Sequence, residues 1–113
     1  MTLAGELDLA TAPRLRTVLL SILERQAEPA SRWSPEALVV DLSGLELLSA
    51  AGLSVLYEAH QRAGQAGLRL RIVTGSRPSM SGLVLRLTGL ESVLDVYPSL
   101  LAAQEPMPPI GEL

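Results

Sequence analysis

Hydroxyl groups and a run of small side chains gather where a strand hands over to a helix. The order is Asp41-Leu42-Ser43-Gly44-Leu45, then Glu46, then Leu47-Leu48-Ser49-Ala50-Ala51-Gly52-Leu53. An apolar run from Ala37 to Val40 enters Asp41, Ser43 and Gly44, which read as a polar turn, and a second apolar run at helical spacing opens at Leu53. A helix start leaves backbone N–H groups unpaired and carries the positive end of the helix dipole. Only small side chains stand over it here, so the backbone of a partner protein can come close. A phosphate added at such a contact would bring in about two negative charges and break a complementary interface. Ser49 reads as an N-cap and Ser43 as a turn residue, each ahead of a role as phosphate acceptor.

Other chemistry finds little support. His60 is the single histidine and there is no cysteine, so neither a nucleophile–base dyad nor a thiolate metal site is expected. No Walker loop, dinucleotide glycine fingerprint or paired His and Glu motif occurs. Thr74-Gly75-Ser76-Arg77 could hold a phosphate, but glycine and serine between a strand and a helix are mainly turn chemistry. The carboxylates are scattered without a pair that assigns acid and base roles. An enzyme is therefore not expected, nor is a cofactor. A net charge of −3 gives no basic footprint for nucleic acid. No apolar stretch reaches the roughly 18 to 20 residues of a membrane span and no leader pattern opens the chain, so a cytoplasmic protein without membrane insertion is the expectation.

The elements that must position the central segment follow from spacing. Thr2 to Leu7 reads as a strand, and Thr11-Ala12-Pro13 as a capped helix start. Leu15, Val18, Leu19, Ile22 and Leu23 then share one face. Gln26 to Glu36 reads as a loop in which Trp33 seals the edge of the core. Ala37 to Leu42 reads as a central strand, and Leu53, Leu56, Ala59 and Ala63 as the buried stripe of a second helix ended by Gly64 and Gly67. Leu68-Arg69-Leu70-Arg71-Ile72 alternates apolar and basic residues, the pattern of a strand with one solvated face. A turn over Gly75 to Ser79, a helix over Gly82 to Leu87, a strand near Val93 to Val96 and a last helix from Pro98 to Ala103 complete the order. Residues 105–113, with Pro106, Pro108 and Pro109, read as a disordered tail. The fold class is α/β: a mixed, largely parallel sheet of about four strands with helices mainly on one face.

The central segment resembles the signature of STAS domains, the family of bacterial anti-sigma factor antagonists. There the same turn leads to an Asp-Ser-Ser-Gly-Leu sequence at a helix start, and here that sequence is Ser49-Ala50-Ala51-Gly52-Leu53. Gly5-Glu6-Leu7-Asp8 with Thr11-Ala12-Pro13, and Thr88-Gly89-Leu90 with Val93 to Pro98, look like the flanking blocks, so residues 1–104 read as one such domain. In regulatory members the first serine of the motif accepts phosphate from a partner kinase, and this chain has Ala50 there. The Asp before it is missing as well. The resemblance implies a non-catalytic docking module whose phosphorylation switch is absent at its usual place.

Its contact surface is expected to include Ser49, Ala50, Leu53, Ser54 and Tyr57, with Asp8 and Ser43 on neighbouring loops. The implied partner is a kinase-like anti-sigma factor. A transporter ATPase, as in lipid ABC systems, or a stress-signalling scaffold is the alternative. Family members generally carry a further strand before the Gly5 block, so an open sheet edge at Leu3 to Leu7 and a homodimer through it are also expected.

Overall fold

Each strand in this chain is followed by a helix, and helical crossovers are what parallel neighbours require. The computed structural model describes residues 1–26, 37–75 and 79–104. Its elements are β1 (Thr2–Leu7), α1 (Ala12–Gln26), β2 (Ala37–Leu48), α2 (Ala50–Gln65), β3 (Arg69–Val73), α3 (Met80–Leu87), a 3-10 turn (Leu90–Ser92), β4 (Asp95–Tyr97) and α4 (Leu100–Gln104). The expected loop residues around Trp33, Ser76 with Arg77, and the tail from residue 105 lie outside the described residues.

The strands form one sheet in the order β1-β2-β3-β4. The expected sheet of about four strands, mixed but largely parallel, is found with four strands, and every pairing is parallel. Strands added in one direction by right-handed crossovers place successive helices on the same face. The core reflects this: Leu15, Leu19 and Leu23 of α1, Leu53, Leu56, Ala59 and Ala63 of α2, and Leu85 of α3 meet Val40, Leu42, Leu70 and Ile72 of the sheet. Val18, expected on the buried face of α1, lies at its margin and is 43% exposed.

β2 departs most from its sequence pattern. The polar turn expected at Asp41, Ser43 and Gly44 is instead continuous strand through Leu48. Its first half pairs with β3, from Ala37 opposite Arg69 to Asp41 opposite Val73. Its second half pairs with β1, with Ala4 opposite Gly44 and Leu7 opposite Leu48. The backbone groups that a turn would have left to solvent thus find partners in the ladder. Asp41, almost fully buried, accepts bonds from the Ser43 amide at 2.9 Å and its hydroxyl at 2.7 Å, so the turn-type residues satisfy one another inside the strand.

β1 forms one edge of the sheet, and its ladder is irregular. Register shifts fall between Thr2 and Ala4 and between Gly5 and Glu6, and Gly5 has φ +83°. Such bulges blunt an edge toward further strand pairing.

Arg71 corrects a second expectation. It was placed on a solvated face, yet it is buried in β3. Alternation puts it opposite Leu70 and Ile72, and there its Nη1 donates to the Ala103 carbonyl of α4 at 2.7 Å. The short α4 therefore covers the second face of the sheet at this point. Asp95 (Nε to Oδ2, 3.8 Å) and the Tyr97 ring (5.4 Å to its centroid) add electrostatic contacts to the guanidinium.

Candidate functional site

The start of α2 is held at the carboxyl end of β1. Ser49 has extended backbone angles (φ −88°, ψ 171°), and its hydroxyl accepts from the Gly52 amide at 3.4 Å, the N-cap arrangement its sequence position suggested. The Ser49 amide donates to the Leu7 carbonyl at 2.9 Å. Gly52 closes the same contact: a Cβ there would lie 2.7 Å from Leu7 Cγ and 3.0 Å from Leu48 Cδ1. Part of the small-residue run at this helix start thus serves the protein's own packing. What it leaves exposed is Ala50, the first residue of α2.

Ala50, Ser54 and Tyr57 follow at helical spacing and are all exposed, so they form one outward stripe. Gln61 continues it, with its amide donating to the Tyr57 hydroxyl at 3.2 Å. Leu53 does not belong to it. It is 9% exposed and packs in the core, because its position turns inward between Ala50 and Ser54.

Ser43 is also separated from the site. It is exposed, but it lies within β2 and not on a neighbouring loop. The six strand positions from Ser43 to Ser49 span roughly 20 Å at about 3.3 Å each.

Asp8 does sit beside Ser49, in the turn from β1 to α1, but its carboxylate is engaged locally. Oδ1 accepts from the Ala10 amide at 3.0 Å and the Thr11 amide at 3.1 Å, with the Thr11 hydroxyl also at 3.1 Å. These bonds, the Thr11 amide first, hold the Asp8 carboxyl below its ordinary pKa. Farther along α2, Glu58 receives both Arg16 Nε and Nη2 at 2.7 Å, linking α1 to α2, and this pairing lowers the Glu58 pKa and raises that of Arg16.

Two exposed apolar residues flank the site and escaped the sequence reading: Leu9, 80% exposed, and Leu47, 43% exposed. A large apolar residue inside the turn from Asp8 to Thr11 was the signal available for Leu9. His60 is half-buried on α2, and no cluster of His, Cys, Asp or Glu suited to a metal ion occurs among the described residues.

A parallel four-stranded sheet carries a capped helix start with small side chains at its rim. The family model for the STAS domain matches residues 1–103, and the chain belongs to that family. The anti-sigma-F factor antagonist RsfB of Mycobacterium tuberculosis, in two strains, is 28% identical over 100 residues, covering 88% of this chain and 73% of that protein. A crystal structure of an anti-sigma factor antagonist from Mycobacterium paratuberculosis superposes with a TM-score of 0.72 at 29% identity, over 90% of this chain and 78% of the other. A Thermotoga maritima protein of 20% identity shares the fold with a TM-score of 0.71, over 90% of this chain and 81% of its own. The chain is thus a STAS domain similar to bacterial anti-sigma factor antagonists. No helix among the described residues is long and apolar enough to cross a membrane.

Proposed function

We propose that this domain binds a kinase-like anti-sigma factor through the start of α2, and that it does so without phosphorylation at the family's usual position. One observation carries the reading: Ala50, exposed at the first position of α2, has no hydroxyl, while the Ser49 and Ser43 hydroxyls are engaged within the fold. Ser49 caps Gly52, and Ser43 donates to Asp41 at 2.7 Å. The contact surface consists of Ala50, Ser54 and Tyr57 with the backbone at Ser49 and Asp8, flanked by Leu9 and Leu47. Such a module has no catalytic step and acts by occupying its partner. The similarity to RsfB supports a sigma-factor circuit over a transport role.

The test is to titrate the protein with each purified anti-sigma factor of its source organism, with and without ATP, by calorimetry, and then to weigh it intact. A complex with no mass gain after incubation with ATP is expected. Phosphate on Ser49 would overturn the unswitched reading. Binding to a transporter ATPase, with none to any anti-sigma factor, would assign the domain to transport.

A further inference from the structure

Toward the opposite edge of the sheet, the carboxyl ends of β3 and β4 and the first turns of α3 line a cleft of about 720 Å³. Small-molecule sites occupy roughly 300 to 1,000 Å³ and favour the carboxyl ends of parallel strands. Met80, Leu83 and Val96 give the cleft apolar walls. Thr74 lines it as well, 9% exposed, and its hydroxyl makes no hydrogen bond among the described residues. The residue's other polar atoms are used: its amide donates to the Tyr97 carbonyl at 3.1 Å, and its carbonyl accepts from the Ser79 hydroxyl at 2.7 Å. Ser79 in turn accepts from the Gly82 amide at 3.1 Å and caps α3. The side chain of Thr74 faces that capped turn: a Cβ on Gly82 would lie 3.6 Å from Thr74 Cβ and 3.8 Å from its hydroxyl oxygen.

A hydroxyl without a protein partner, on a nearly buried residue that lines a cleft beside the positive end of a helix, is suited to an anionic oxygen. Arg86, one turn beyond Gly82 on the same side of α3, lines the cleft and makes no ion pair among the described residues. We propose that this cleft binds a small amphiphile whose anionic head meets Thr74, the first turn of α3 and Arg86, and whose apolar body lies along Met80, Leu83 and Val96. Glu91 also lines the cleft. It weakens anion binding and excludes large clusters of negative charge, so the fitting head carries one carboxylate or one phosphate.

The probes are octanoate, octyl phosphate, octanol and octylammonium, each titrated below its micelle-forming concentration into the intact chain and followed by amide NMR shifts. Saturable shifts at Thr74, Met80, Leu83 and Val96 with either anion support the site, and which anion binds tells a carboxylate head from a phosphate head. Thr74→Val, which removes an oxygen that holds no protein partner, and Arg86→Gln should each weaken anion binding about tenfold while leaving the fold intact. Glu91→Gln should tighten it. Equal binding of octanol, preference for octylammonium, or no shifts in the cleft with any probe would overturn the proposal.

Discussion

The amide of Ser49 donates to the carbonyl of Leu7 at 2.9 Å, so the residue that caps α2 is bonded to the last residue of β1. The helix start can come this close only because Gly52 lacks a side chain. Gly52→Ala would set a methyl 2.7 Å from Leu7 Cγ. Overpacking of that kind costs about 1 to 3 kcal/mol, which outweighs the gain of about 1 kcal/mol in helix propensity. Gly64→Ala in the same helix meets nothing within 4 Å and should stabilise by about 0.5 kcal/mol. Urea midpoints moving in opposite directions check the pair; equal shifts would remove the close-approach argument.

Ala50→Asp separates folding from docking. A carboxylate in the first turn of a helix stabilises it by about 0.3 to 1 kcal/mol, and the exposed position of Ala50 leaves it room. The variant should melt at or slightly above the temperature of the parent, yet, on the proposed function, bind an anti-sigma factor at least tenfold more weakly. Unchanged affinity would place the docking surface elsewhere.

Serines capping two helices should differ in weight. Ser49 accepts one bond, at 3.4 Å, whereas Ser79 accepts from Gly82 at 3.1 Å and donates to Thr74 at 2.7 Å. Replacing Ser49 by Ala should cost about 0.5 to 1 kcal/mol and Ser79 by Ala about 1 to 2 kcal/mol. Chemical denaturation of both variants measures the order.

Arg71→Ala should destabilise by about 2 to 3 kcal/mol, since it removes a charge-assisted bond from a buried site and opens a cavity. Arg69→Ala, on an exposed side chain of the same strand, should stay within about 0.5 kcal/mol of the parent. Hydrogen exchange gives the specific signature: protection of α4 falls in the Arg71 variant and not in the Arg69 variant.

The acid limb of stability follows from Asp8 and Glu58, whose pKa values are lowered by hydrogen bonds from Thr11 and from Arg16 respectively. A folded pKa below the unfolded one means that the stabilisation is full above the ordinary carboxylate range, about pH 4. It is lost as pH falls through the folded values. Asp8→Asn and Glu58→Gln should each flatten the fall of the urea midpoint between about pH 5 and pH 3. A parent-like slope in both would show that other carboxylates govern it.

Much of this was legible from spacing alone. Leu15, Leu19 and Leu23, and Leu56, Ala59 and Ala63, recur at helical intervals, and a helix with one apolar stripe has a single way to bury it. The N-cap at Ser49 and the family signature around Gly52 were equally local. What local pattern could not reveal was which segment stands opposite which. Asp41, Ser43 and Gly44 have the composition of a turn, and they are strand because β1, from Thr2 onward, and for Asp41 also Val73 of β3, supply their ladder from far away in the chain. Leu53 lay beside the outward stripe in sequence, yet the direction of its side chain into the core removed it from that stripe. Arg71 alternated correctly with its apolar neighbours, but alternation identifies two faces without saying what covers the second. The Ala103 carbonyl, 32 residues later, covers it here. Sequence by itself determined the periodic elements and the identity of Ala50 at the helix start. The tertiary structure decided which of those residues are buried, because burial depends on contacts between segments that are distant in the chain.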